Sequence, residues 1–231
     1  MKTQNVFQLL LISFLILSCS SSANYSEEFK SETSGKYLFN ADDLMIISYE
    51  GNDLYLHWRG VKTKPVTTDT NEFFVPDLYK KLRFVKHPET QKRYISAISE
   101  ENPDSLSYDY LKVADDYKTP SQYIKDKDFE NALEGLLAIK AQDSLSDFIN
   151  QYKFNRIGYR YLRDDNYKDA IGIFTMNTKL HPNSGNVYDS LADAYLQSGD
   201  SIKAYDNYKK ALSINQDNRR ARKYINAYEG K

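Results

Sequence analysis

The chain has 231 residues, and its 31 lysine and arginine residues nearly balance 32 aspartate and glutamate residues. The resulting formal net charge of −1 argues against a protein that binds nucleic acid through a global excess of positive charge, so we predict no nucleic-acid partner. The charge is uneven, because residues 151–231 carry 14 lysines and arginines against 9 aspartates and glutamates. This asymmetry indicates a moderately basic C-terminal module beside an acidic N-terminal one.

Residues 1–18 have the features of a signal peptide. Lys2 is followed by an almost wholly apolar run, Val6–Leu17, which is short for a membrane span. The sequence Ile16-Leu17-Ser18-Cys19 resembles a bacterial lipobox, in which a small residue precedes the cysteine that receives lipid. This resemblance implies lipid attachment at Cys19, the single cysteine of the sequence. The alternative is a simple signal peptide followed by an incidental cysteine.

The lipobox resemblance implies anchoring in the cell envelope, and the absence of aspartate directly after Cys19 indicates outer-membrane sorting by analogy with other bacteria. We expect a lipid-anchored protein of the cell envelope, at the outer membrane and facing the periplasm, with the N-terminal lipid as its only membrane contact. Residues 19–34 are rich in serine and glutamate, a composition typical of a flexible tether.

Residues 35–113 show the two-residue period of β-strands. Leu54, Leu56 and Trp58 fall on one face of such a strand. Turn signals such as Gly51-Asn52 separate similar runs, which lie at 36–39, 43–49, 72–75, 79–86, 93–98 and 106–111. About seven antiparallel strands are therefore predicted, curled into a small barrel or sandwich.

Residues 114–150 are predicted to be a helical connector. An apolar stripe runs along its first helix and consists of Phe129, Ala132, Leu133, Leu136, Leu137 and Ile139. Asp143 or Ser144 is predicted to cap a second helix that continues through Phe148 towards Tyr161.

Residues 151–231 contain an internal repeat. Residues 151–184 align with 185–218 at an offset of 34 positions, and this offset superimposes Phe154 on Tyr188, Ile157 on Leu191, Gly158 on Ala192, Tyr161 on Tyr195, Ala170 on Ala204 and Phe174 on Tyr208. The pattern predicts two pairs of antiparallel helices, with the small residues at close crossings. Ser184 and Asp200 are predicted helix caps, Gly199 a left-handed terminator, and Arg219–Lys231 a capping helix.

The period and these residues resemble the tetratricopeptide repeat. The resemblance implies a binding scaffold that performs no chemistry of its own; the alternative is a helical appendage that only adds stability. Together with the β region, it gives an α+β fold: a small antiparallel β barrel or sandwich followed by tetratricopeptide-like repeats.

A second resemblance covers most of the remaining chain. The segments Ile46–Leu56 and Asn155–Tyr159 are similar to the β domain and helical tail that follow the catalytic domain in β-lactamase-related serine hydrolases of Bacteroidetes. Those hydrolases need a lysine three residues after the nucleophilic serine, and no serine of this chain has one. We therefore predict a stand-alone non-catalytic tail that is not an enzyme, with no catalytic residues, no cofactor and no metal site.

The tetratricopeptide resemblance also implies the location of a site, because the first helix of each repeat lines a groove in that family. We expect an unidentified protein or peptide partner there, and the predicted groove residues are Tyr152, Asn155, Arg156, Tyr159, Asn186, Asp189, Ser190, Asp193, Arg220 and Lys223. The lysine and asparagine set with which chaperone-binding repeats hold a terminal carboxylate is not reproduced.

Two other functions stay open at this stage. The first is a binder of a small apolar ligand, held inside the β domain between Trp58, Phe74, Phe84 and Tyr94. The second is a hydrolase of unrecognised kind, or an accessory subunit of a serine hydrolase.

Overall fold

The computed structural model describes residues 24–230. The predicted signal peptide and the lipid-attachment residue Cys19 lie outside this range. A β unit comes first and a helical unit follows. Among residues 24–230, no helix combines the length and the apolar character needed to cross a membrane.

A short helix, α1 (Glu27–Thr33), occupies most of the described part of the expected tether. Phe29 and Thr33 are four residues apart on the helix and face the same side, and Tyr25 lies just before the capping residue Ser26. Tyr25 is 4% exposed and stacks on Phe29 with 5.3 Å between ring centroids, while the Thr33 hydroxyl lies 2.6 Å from the Tyr49 hydroxyl. The prediction of a flexible tether is therefore wrong over this segment, because its polar composition conceals a buried stripe.

The β unit is one curled antiparallel sheet. Within the described residues it has nine strands: β1 (Gly35–Asn40), β2 (Asp43–Glu50), β3 (Asp53–Trp58), β4 (Val61–Thr63), β5 (Val66–Thr67), β6 (Glu72–Val75), β7 (Lys80–Lys86), β8 (Arg93–Ala97) and β9 (Tyr110–Val113). A 3₁₀ turn covers Pro76–Leu78. The strand order is β4-β3-β2-β1-β9-β8-β7-β6-β5. Only Lys64 and Pro65 separate β4 from β5, so the two ends of the sheet approach each other.

The sheet curls around one apolar core. Alternate side chains point inward, as the strand period requires, and the fully buried ones include Tyr37, Met45, Ile47, Phe73, Leu82 and Ile95. The sequence pattern missed the short strands β4 and β5, and it placed the last strand at 106–111 although β9 begins at Tyr110.

The helical unit consists of α2 (Pro120–Lys125), α3 (Phe129–Gln142), a 3₁₀ turn (Asp147–Ile149), α4 (Gln151–Arg163), α5 (Tyr167–Leu180), α6 (Gly185–Gln197), α7 (Ser201–Ile214) and α8 (Arg219–Glu229). The first residues of α4, α6 and α8 are 34 positions apart, and so are those of α5 and α7. The structure therefore confirms the predicted 34-residue period of helix pairs.

Small residues lie where the paired helices cross. A Cβ atom placed on Gly158 would lie 2.5 Å from the Phe174 ring, and Ala170, Ala192 and Ala204 are fully buried. These contacts confirm that the small residues permit the close approach of helices.

The helix boundaries agree only partly with the predicted caps. Asp200 accepts a hydrogen bond from the Lys203 amide at 3.1 Å, and Gly199 has φ of +87°, both as predicted. Ser184 precedes α6 but makes no side-chain cap bond. The helix predicted to start at Asp143 or Ser144 is wrong, because extended backbone at Asn150 interrupts it and the Asn150 side chain caps α4 instead.

The connector attaches the two units to each other. The Asp42 carboxylate, in the β1–β2 turn, accepts hydrogen bonds from the Ser121 amide at 2.8 Å and from the Ser121 hydroxyl at the start of α2. Helix α3 then packs on the first repeat, where Ala132, Leu136 and Ile139 share a buried cluster with residues of α4 and α5.

Candidate binding groove on the helical repeats

The first helices of the repeats, α4 and α6, and the final helix α8 provide the residues of the candidate site. We call the side of these three helices that carries the ten predicted groove residues the groove face. Because the helices start 34 residues apart, equivalent positions of each helix recur along this face.

Arg220 joins the three helices of the groove face. From α8, its guanidinium donates to both Asp189 carboxylate oxygens, to Asp193 Oδ2 at 3.1 Å and to the Tyr159 hydroxyl at 3.1 Å. Asn218 adds a hydrogen bond to Asp189 Oδ1 at 2.9 Å. The network therefore connects α8 to α6 and to α4, and it fixes the shape of the face.

The hydrogen bonds of this network keep the Arg220 side chain in its charged form. Partial burial lowers the pKa of Arg220, but its hydrogen bonds to Asp189 and Tyr159 outweigh this effect and raise the pKa further above the ordinary arginine value. Arg220 is thus a permanent cation whose donors are committed to protein partners. It holds the helices together and contributes little free hydrogen-bonding capacity to a ligand.

Three predicted groove residues are buried. Asp189 is 7% exposed and both its carboxylate oxygens accept hydrogen bonds from Arg220. Asn155 accepts a hydrogen bond from Asn177 Nδ2 at 2.9 Å. The Ser190 hydroxyl donates to the Asn186 carbonyl at 3.1 Å. The expectation that these side chains are exposed to a ligand is therefore wrong. The polar atoms of these three residues form hydrogen bonds within the protein instead, as buried polar groups require.

The other predicted groove residues are accessible. Tyr152 is 66% exposed, Arg156, Asn186 and Lys223 are exposed, and Tyr159 and Asp193 are partly exposed. Among residues 24–230, neither Arg156 nor Lys223 takes part in an ion pair. The face therefore presents an aromatic ring and unneutralised positive charge to solvent.

Sequence reasoning missed two asparagines of this region. Asn218 both caps α8, by accepting from the Ala221 amide at 3.0 Å, and binds Asp189. Asn177 donates to Asn155 and to the Gln151 carbonyl at 3.0 Å. The position of Asn218 just before a predicted helix was a cap signal, whereas its contact with Asp189 depends on the packing of α8 against α6.

The residues proposed for an apolar ligand in the β unit do not share one cavity. Trp58 lines a cavity of about 350 Å³ and Phe74 lines a different one of about 500 Å³. Phe84 is 4% exposed within the core, and Tyr94 packs on the Tyr108 ring at 5.3 Å. These cavities therefore do not bring the four residues together, and an apolar ligand in the β unit stays a prediction.

Comparisons with known proteins give partial matches. No family model matches the chain. Two curated relatives, each named photosystem I assembly protein Ycf3, from Prochlorococcus marinus strains NATL1A and NATL2A, are 30% identical over 93 residues, which cover 39% of this chain and 53% of each relative. The chain thus spans about half the length of the curated relatives it matches.

Solved structures resemble part of the chain. The first tetratricopeptide domain of Spaghetti (RPAP3), bound to an HSP90 peptide, gives a TM-score of 0.34 at 14% identity and covers 48% of this chain and 85% of that one. A crystal structure of MamA gives 0.33 at 25% identity, with 48% and 63% covered. The features that the helical part of this chain shares with tetratricopeptide repeats are its 34-residue period of helix pairs and the small residues at the helix crossings.

Proposed function

We propose that this protein binds an extended segment of a protein partner on the groove face and acts by holding that partner, without catalysis. The observation that carries the proposal is the Arg220 network, which fixes α4, α6 and α8 relative to one another while Tyr152, Arg156 and Lys223 remain exposed. The face is therefore organised before a ligand arrives.

A fixed face favours binding because less conformational freedom is lost on association. Tyrosine and arginine are also enriched at protein interfaces. Since Arg156 and Lys223 are unneutralised among the described residues, the face is complementary to a segment that carries aspartate or glutamate side chains.

The relatives agree with a role of this kind. The matched relatives are named as assembly proteins, and assembly requires contact with other proteins. The resemblance to tails of serine hydrolases makes such a hydrolase a specific partner to look for, with this chain as its accessory subunit.

Partner capture tests the proposal. The protein is crosslinked in native envelopes and recovered together with its partners, and the variant Arg156→Glu/Lys223→Glu is compared with Lys168→Glu/Lys209→Glu. Both double variants change the net charge equally, and all four residues are exposed, but Lys168 and Lys209 lie on the second helices α5 and α7. We expect the groove variant alone to lose the partner. Equal capture by the two variants would contradict the proposal.

We further propose that Cys19 carries a lipid that anchors the protein in the cell envelope, at the outer membrane facing the periplasm. The support is the Leu17-Ser18-Cys19 sequence after an apolar run. Because lipidation requires the thiol, Cys19→Ser is expected to move the protein from the membrane fraction to the soluble periplasm or to an uncleaved precursor. Unchanged lipid labelling and fractionation of this variant would contradict the anchor.

A further inference from the structure

A further cavity lies where the two units meet, and the residues of the Arg220 network do not line it. Its volume is about 400 Å³, within the range of small-molecule sites, and such sites are often found between structural units. The β1–β2 turn, α2, the 3₁₀ turn at 147–149 and α4 all contribute to its walls.

The inner surface of this cavity is apolar. Ile124 and Phe154 line it and are 9% and 4% exposed. Phe148 and Ile157 line it as well and are partly buried. A hydrocarbon or aryl group placed there would be removed from water on several sides, which is favourable by about 25 cal/mol per Å² of apolar surface.

The entrance of the cavity carries positive charge. Lys125 and Arg160 line the cavity and are exposed, and among residues 24–230 neither forms an ion pair.

The two carboxylates that also line the cavity have other partners. Asp42 accepts two hydrogen bonds from Ser121, and Asp147 lies 3.5 Å from Lys153. The lining thus carries three cations, Lys125, Lys153 and Arg160, against these two carboxylates, which leaves a net charge of +1 that favours an anion.

From this combination we infer that the cavity binds a small monocarboxylic acid with an apolar body, such as a medium-chain fatty acid. The apolar body contacts Ile124, Phe148 and Phe154, and the carboxylate lies at the entrance near Lys125 and Arg160. A guanidinium can form two parallel hydrogen bonds with a carboxylate, which favours this anion over a neutral alcohol of the same length.

Calorimetry with octanoate and 1-octanol on the purified full chain tests the inference. We expect octanoate to bind the unmodified protein and 1-octanol to bind at least about tenfold more weakly, since a hydrogen bond to a charged group is worth about 1.5–3 kcal/mol. The variant Lys125→Gln/Arg160→Gln should weaken octanoate binding by a similar factor. The matched control Arg163→Gln/Lys179→Gln removes two exposed cations that do not line the cavity and should bind octanoate normally.

Three results would overturn the inference: no binding of octanoate at millimolar concentration, equal binding of octanoate and 1-octanol, or equal octanoate affinity in the two double variants. All four substituted side chains are exposed, so the unfolding midpoint should stay unchanged and the comparison remains interpretable. Lys125 lies on α2 and not on a helix of the groove face, so partner capture should not depend on it, and Lys125→Gln alone separates this test from that of the proposed function.

Discussion

The β unit and the helical repeats are held together in different ways. In the β unit, β1 pairs with both β2 and β9, so Lys36 lies opposite Ile46 on one side and Val113 on the other. In the repeats, close crossings join the two helices of one repeat, as Gly158 of α4 and Phe174 of α5 do. The sheet should therefore unfold as one unit, whereas a defect in a repeat acts on its neighbours.

The two units also differ in what they offer to a ligand. The sheet directs its apolar side chains into one core, whereas the repeats leave one side of α4, α6 and α8 open and fix it by polar contacts. Packing at a fixed period therefore stabilises the helical module and still leaves one side of its first helices free to bind.

Replacing Phe174 by alanine should lower the stability of the repeats, relative to that of the sheet, more than the other changes considered below. Phe174 is fully buried and its ring contacts Gly158 and lies 5.2 Å from the Tyr159 ring. Its loss should destabilise the repeats by about 3–5 kcal/mol. Hydrogen exchange should report lost protection in α4 to α8 and retained protection in the sheet; equal loss in both units would refute separate stabilities.

The substitution Ala204→Leu should have a smaller effect. Ala204 is fully buried between helices, and the added atoms have no space, so we expect a cost of about 1–3 kcal/mol. The thermal unfolding midpoint of the helical signal in circular dichroism measures it. Leucine at the exposed position 203 is the control, and an unchanged midpoint for Ala204→Leu would mean that the repeat register is wrong.

The substitution Arg220→Gln should destabilise the single helix α8 more than α4 or the sheet. The change leaves the buried Asp189 with Asn218 as its remaining partner, and since Arg220 is about half exposed we expect a cost of about 1–2 kcal/mol. Exchange of α8 amides should accelerate more than exchange in α4 or in the sheet. Arg222→Gln, on the same helix and outside the network, serves as the control.

The smallest expected effect is a dependence of the protein's stability on pH that arises from His181. Burial lowers the pKa of His181, and its Nε2 lies 2.7 Å from the Ile149 carbonyl oxygen. The folded state therefore binds the proton less readily than the unfolded state, so the contribution is present above the unfolded pKa of about 6.5 and is lost as the pH falls below it. The thermal unfolding midpoint should decrease as the pH is lowered from about 7.5 to about 5.5, and His181→Gln should make this decrease smaller. An equal decrease in both proteins would contradict the assignment.

Much of the helical fold was predictable because each repeat is specified locally. The residues from Phe154 to Tyr208 that recur at a fixed offset gave the helix pairs and their close crossings. The break before α4 was missed, since it depends on Asn150 as an extended capping residue. Helix α1 was missed because the inward-facing residues Tyr25, Phe29 and Thr33 are scattered among serine and glutamate.

The candidate site was less predictable than the fold. The resemblance placed Tyr159, Asp189, Asp193 and Arg220 on one groove, but a repeat pattern cannot say whether a polar side chain faces solvent or a neighbouring helix. Asp189, Asn155 and Ser190 were therefore expected on the open surface and are buried. The cavity beside Arg160 was missed altogether, because its walls come from four segments that only the folded chain brings together.

Photo-crosslinking from single positions directly tests whether a partner binds on the groove face. Tyr152 on the groove face and Ile202 on α7 are both 66% exposed, so a photoreactive phenylalanine analogue at either position is equally accessible to solvent. We predict that a partner in native envelopes is crosslinked from position 152 and not from position 202. Crosslinking of the same partner from position 202, or from Tyr79 on the β unit, with none from position 152, would contradict binding on the groove face.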